Sequence, residues 1–453
     1  MRFISRHLPV VLFIVVAAVH MVGPATQVTD SRMTVPTAVS LVEHQTMDLS
    51  HLATVRSIKD RYDLVEVGGR TVMKYPYPPV LFTLPVVAAV DALPGVNLSK
   101  LSISNPNRTA LIEVPVASLL TAGAAVLFFA TAQLVLTGSS RRRRLIGLLA
   151  TIAFAFGTGV WSTASRAMWQ HTPSVFLLTL ALYLAVRSRD DPRAIRWLGV
   201  VLGAAITMRP TDAIPLVMIS LWVVWCRRSQ LLAFALGVAA CGAVFAAVNQ
   251  LVYHSYVPPY YEASKLRGTS SLASALAGTM IAPSRGLLLY APVLLLVPFG
   301  IARRRRERAL DGFDLALLAT LAAHWVLIAS WANWWGGASF GPRLFTDMIP
   351  FLMYFVLPIL DLAPNSAAEF RRRGIRVRAS LVLTLLLASI MVNAQGALVR
   401  ATFCWNADPK PIDDDPARNW DWSDPQMLRG VHRLLSGDSL SHVIAGSCTG
   451  ART

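Results

Sequence analysis

The chain has 453 residues, 54% of them hydrophobic and 15% charged, with a formal net charge of +17. In a soluble chain that charge would point to nucleic acid. Here it sits in short arginine clusters between apolar runs, which leaves no case for a nucleic-acid partner and predicts a polytopic membrane protein.

Eleven apolar runs are long enough to read as spans, near 8–27, 112–137, 145–163, 173–187, 196–209, 212–226, 231–252, 286–302, 314–332, 344–362 and 378–398. The first, behind Arg2 and Arg6, mimics a signal peptide, but no small-x-small cleavage site follows it, so a retained helix is expected. Basic clusters then recur at every second connection: Arg141 to Arg144, Arg187/Arg189/Arg193/Arg196, Arg227/Arg228, Arg303 to Arg306, and Arg371 to Arg373 with Arg376/Arg378. The positive-inside rule makes those connections and the N-terminus cytoplasmic, and an odd span count puts the C-terminus outside. The apolar stretch 78–95 would invert every later cluster if it crossed. Asp91 and its prolines make it a juxtamembrane helix in the outer interface instead. The 196–209 and 212–226 pair is short and is expected to turn at Arg209-Pro210-Thr211-Asp212.

This organisation predicts one membrane domain over 1–399, with a first outer loop at 28–111, a second at 254–285, and an acidic outer tail at 400–453. Cys226 and Cys241 lie at or within spans as packing residues. Cys404 and Cys448 fall in the tail, where a disulfide is permitted.

The outer face carries isolated polar residues among aromatics. Thr29-Asp30-Ser31-Arg32 follows the first span, and a carboxylate there is placed to act as general base on a substrate arriving from lipid; its alternative role is a solvated helix end with Asp30 paired to Arg32. Lys74 stands before Tyr75-Pro76-Tyr77-Pro78-Pro79, at the depth of phosphate head groups, although ordinary snorkelling explains it equally. Arg166 and Trp169-Gln170-His171 occupy a connection too short to be expected to hold more than belt anchors. Arg285 closes the second outer loop. Trp334-Trp335-Gly336-Gly337 leads to Arg343, a poor helix but a good sugar-facing loop, with a guanidinium able to fork onto phosphate. No HExxH, Walker or dinucleotide motif is present. A divalent ion would have Asp30 and Asp48 available, but nothing in their spacing requires one.

Together these stretches resemble the GT-C superfamily of polyprenyl-phosphate-dependent glycosyltransferases, in the branch that holds protein O-mannosyltransferases and the lipid A aminoarabinose transferase. Asp30 looks like that family's acidic position after the first helix. Lys74-Tyr-Pro-Tyr-Pro-Pro looks like its Lys-Pro-Pro element, with Arg108 as the later arginine. Two departures stand out: Ser31 replaces a second acid, and Tyr75-Pro76-Tyr77 separates Lys74 from the proline pair.

The resemblance implies an all-α integral membrane fold of about 11 transmembrane helices with interfacial helices in the first outer loop. It also implies a bacterial plasma-membrane location and sugar transfer from a polyprenyl-phosphate donor to a glycan, lipid or protein hydroxyl, with no required cofactor. Asp30 would be the base, with Arg32, Lys74, Arg166, Gln170, His171, Arg285, Trp334 and Arg343 on donor phosphate and sugar. A transporter or lipid flippase, or a non-catalytic envelope assembly protein of the same fold, are the other readings. The near absence of mid-span ionisable residues, His324 apart, counts against transport.

Overall fold

The computed structural model describes residues 2–24, 30–52, 62–96, 98, 106–261, 268–361, 373–446 and 448. The side chain of Arg108 lies outside the described residues. The apolar runs fold as helices because a segment in lipid must satisfy its own backbone hydrogen bonds. Helix α1 (Arg2–Met21) lies along α4 (Pro106–Val135), which packs on α7 (His171–Arg187); α7 packs on α8 (Ala194–Met208), and α8 on α10 (Leu231–Tyr253). Buried His20 fastens the C-terminal end of α1, with Nδ1 2.9 Å from Thr121 Oγ1 and Nε2 3.1 Å from the Ala155 carbonyl.

Small residues set the tightest of these contacts. A Cβ on Gly199 would stand 2.2 Å from the Phe234 carbonyl oxygen, and one on Gly237 2.8 Å from Val200 N, so α8 and α10 touch backbone to backbone. Such packing replaces the hydrophobic drive that lipid does not supply between helices.

Among the described residues, five helices are long and apolar enough to cross a membrane: Thr109–Val135, Arg228–Tyr253, Gly312–Ser330, Arg343–Leu360 and Arg376–Leu398. The bent pair of α5 (Ser140–Phe156) with α6 (Gly159–Ser162) and its 3-10 extension to Arg166 makes a sixth. Helix length and composition thus give five or six crossings. Of the other expected spans, four fall on shorter helices, His7–Met21, His171–Arg187, Ala194–Met208 and Pro210–Cys226. After α11 (Leu272–Ile281), the stretch near 286–302 is divided into α12 (Leu287–Tyr290), a 3-10 turn Pro292–Leu296 and α13 (Val297–Arg306). Pro292 and Pro298 stand at those breaks, as residues without an N–H should.

The described residues of the first loop, 28–111, include two helices and a hairpin. Helix α2 (Thr34–His44) and α3 (Pro78–Asp91) pack together on the N-terminal part of α4, around Met33, Val35, Val39, Val80, Ile112 and Val116. Helix α3 has 14 residues, so at about 1.5 Å per residue it falls well short of a bilayer core. Between them runs a hairpin, β1 (Leu64–Val67) and β2 (Arg70–Met73), closed by Gly68 and Gly69 at φ +55° and +77°. That hairpin departs from the all-helical loop expected. Asp48 braces it: its Oδ1 accepts from the N–H groups of Ser50 (2.9 Å) and Thr71 (3.1 Å). Partial burial alone would push the Asp48 carboxyl up. These two bonds, with one from the Ser50 hydroxyl, outweigh that burial and hold it below the usual range.

Helix α9 (Ala213–Cys226) follows α8 through the expected turn, with Arg209 extended and Pro210 opening a 3-10 turn. Asp314 of α14 (Gly312–Ser330) pairs with Arg304 at 2.7 Å and accepts from Tyr354 at 2.8 Å, joining α13 and α15 (Ile349–Leu360). The last long helix, α16 (Arg373–Leu398), leads into the tail, where α17 (Arg400–Cys404), α18 (Arg429–Leu435) and α19 (Leu440–Ala445) pack on one another. Cys404 and Cys448 form a disulfide.

Candidate functional site

At the helix ends lies an open cleft of about 80 Å³, lined by Asp30, Thr34, Tyr75, His171, Arg209, Thr211 and Arg343. Trp169, Tyr260 and Trp331 furnish its aromatic walls. These residues come from the first loop, the α6–α7 connection, the α8–α9 turn, the second loop and the stretch after α14, so the cleft exists only when distant segments meet.

Asp30 is held by Arg343, whose Nη1 donates to Oδ2 at 2.8 Å. Their side chains are 26% and 11% exposed, enough shielding to strengthen the pair and enough opening to admit a substrate. The Arg343 guanidinium also lies 4.5 Å above the Trp169 ring. The loop that delivers it turns through Gly336, Gly337 and Gly341, all at positive φ, and a Cβ on Gly341 would stand 2.4 Å from the Tyr290 ring. Only glycine accepts both conditions there.

Behind Asp30, Glu113 of α4 accepts from the Ser31 hydroxyl at 2.6 Å and from the Met168 N–H at 2.9 Å. One buried carboxylate therefore ties the Asp30 turn to the α6–α7 connection that presents Trp169. Tyr62 reaches Asp30 Oδ1 at 3.5 Å, and Tyr75 stacks on Tyr260 at 4.2 Å between ring centres. Burial first, then the Asp30 charge, pushes the Tyr62, Tyr75 and Tyr260 phenols up, so all three remain hydrogen-bond donors at neutral pH.

Arg209 forms an ion pair with buried Asp347, whose other oxygen lies 3.4 Å from His171 Nδ1. The Tyr261 hydroxyl donates to Gln170 Oε1 beside them. Asp212 does not line the cleft; its Oδ2 accepts from Ser174 at 2.6 Å.

Of the residues expected from sequence, the cleft gathers Asp30, Gln170, His171 and Arg343. Arg32, Lys74, Arg166, Arg285 and Trp334 do not line it. Arg32 stands by Glu113 and Tyr62, and Lys74 N donates to the Asp63 carbonyl at 2.9 Å. Fully buried Arg166 donates to Val22 O at 3.1 Å and Ser165 Oγ at 3.1 Å, joining the end of α1 to the α6–α7 connection. Arg285 is a structural knot: it donates to the carbonyls of Trp335 (3.0 Å), Ser284 (2.7 Å) and Gly337 (3.1 Å), and to Gln426 Oε1 (2.6 Å) and Asn406 Oδ1 (2.8 Å). Trp334 lies across Gly278 and beside Trp335. Among the described residues no group of three or more His, Cys, Asp or Glu is placed to hold a metal ion, and Asp48 is committed to the hairpin.

From sequence, Trp169 reads as a belt anchor and Arg209 as part of a turn, and Tyr75, Tyr260, Glu113 and Asp347 have no site role. Arg209 is visible as an isolated cation, and Asp347 as an acid inside an apolar run. Glu113 is likewise an acid within its span, and only three-dimensional placement sets it behind Asp30. No protein-family model matches the chain, and no curated protein matches it.

Proposed function

We propose that this chain is a membrane glycosyltransferase of GT-C type that takes sugar from a polyprenyl-phosphate donor at the outer face of a bacterial plasma membrane. The observation that carries the reading is an Asp30 carboxylate fixed 2.8 Å from Arg343 in an open, aromatic-walled cleft. Asp30 takes the proton of an acceptor hydroxyl, that oxygen bonds to the anomeric carbon, and the bond from that carbon to the phosphate oxygen breaks, releasing polyprenyl phosphate. A phosphodiester donor is already activated, so the protein supplies positioning, one base and cationic stabilisation of phosphate. One carboxylate serves an inverting displacement. The aromatic walls suit the C–H faces of a sugar.

In this reading the shorter helices join the long ones to make eleven crossings, with the N-terminus cytoplasmic and the tail outside. The arginine clusters support that orientation. A lipid transporter using the same cleft is the second reading, favoured by the buried Arg209–Asp347–His171 group. Incubating the purified protein with polyprenyl-phosphate-linked hexoses, or with nucleotide sugars and no polyprenyl phosphate, separates the cases. Release of polyprenyl phosphate from the first set alone is expected. Transfer from nucleotide sugars, or lipid movement without sugar release, would refute the enzyme as described.

A further inference from the structure

Resting on that reading, we infer that the donor's phosphate is seated on Arg209 and Thr211 of the cleft wall, and not on the arginine that holds the base. Arg343 already positions the base: Nη1 is on Asp30 and its face is on Trp169. Turning it onto a phosphate would release the carboxylate it positions. Arg285 is enclosed by five protein acceptors and does not line the cleft.

Among the described residues, Arg209 is the other guanidinium on the cleft wall. It commits Nη1 to Asp347, which fixes its orientation and leaves the remaining donors of its planar fork for a ligand. Beside it, Thr211 is 6% exposed and lines the cleft, yet its Oγ1 has no hydrogen-bond partner. A buried hydroxyl without a partner costs free energy unless something in the cleft completes it. Both residues stand in the turn that leads into α9. Tyr260 also lines the cleft, within electrostatic reach of Asp30, Arg343 and Arg209 together. A sugar resting against that ring would lie near both the base and the phosphate seat.

The test is binding of farnesyl phosphate, and of farnesol as its uncharged counterpart, to the purified full-length protein in nanodiscs. Thr211→Val keeps shape and removes the donor; it should weaken farnesyl phosphate about tenfold, the usual value of a bond to a charged group, and leave farnesol unchanged. Arg209→Lys, which keeps a cation opposite Asp347, should also weaken farnesyl phosphate selectively. Wild-type affinity in both variants, or equal losses for the two ligands, would overturn the phosphate seat while the glycosyltransferase reading stands. No binding of farnesyl phosphate by the wild type would overturn both. Inorganic phosphate at the same concentration should not displace farnesyl phosphate, and displacement would overturn a lipid-borne source.

Discussion

Asp30 and Arg343 are 313 positions apart and meet as an ion pair at 2.8 Å. The carboxylate's place after the first span is readable from sequence, because a lone acid at the end of an apolar run is conspicuous. Its partner is readable only as one isolated outer cation among several, since sequence does not say which cation faces which acid. Arg166 and Arg285 illustrate the difficulty: both are outer arginines near aromatics, and both are used to join segments. Arg343→Gln should leave Asp30 unpositioned and lower turnover about 10²-fold, the scale of a small misplacement of a reacting group, with the melting temperature in detergent nearly unchanged. Arg285→Met should do the reverse. It strands carbonyl and side-chain acceptors at roughly 1–3 kcal/mol each, so a large drop in melting temperature is expected, with donor KM unaltered in whatever folded protein remains.

At the level of elements, hydropathy locates the long helices well because a span must be apolar over its whole length. It does worse where prolines interrupt the run, as at Pro292 and Pro298, since an average over a window does not register a missing N–H. The hairpin is legible in principle: Leu64-Val65-Glu66-Val67 and Arg70-Thr71-Val72-Met73 flank Gly68-Gly69, a turn signal overshadowed by the longer helical runs on either side. The tail reads as a short outer extension, yet it folds back on the Arg343 loop. Gln426 donates to the Ser339 carbonyl at 2.7 Å and accepts from Gly341 N at 3.0 Å. The disulfide closes a sequence separation of 44 residues around this contact. Replacing Cys404 and Cys448 by serine should destabilise the tail by about 2–4 kcal/mol. Faster hydrogen exchange over 400–446, spreading to the loop 336–343, is the expected signature, and unchanged protection of that loop would show that the tail does not brace it.

For the whole molecule, alternation of arginine clusters with bland connections points to one orientation, because the positive-inside rule concerns charge alone. The cleft is different. Its lining is drawn from five separated stretches, and no local spacing reveals their convergence. The orientation is itself open to measurement: cysteines placed at Gly69 and Gly95, on either side of the Pro78–Asp91 helix, should both react with a membrane-impermeant reagent from the outer side, whereas reaction from opposite sides would make that helix a crossing.

The most direct test of the central claim is a single-turnover measurement with the purified protein in nanodiscs, following release of polyprenyl phosphate from a polyprenyl-phosphate-linked sugar in wild type and Asp30→Asn. General-base catalysis predicts a rate about 10²–10⁴-fold lower in the variant, with donor binding retained. An Asp30→Asn protein that turns over at the wild-type rate would contradict the account.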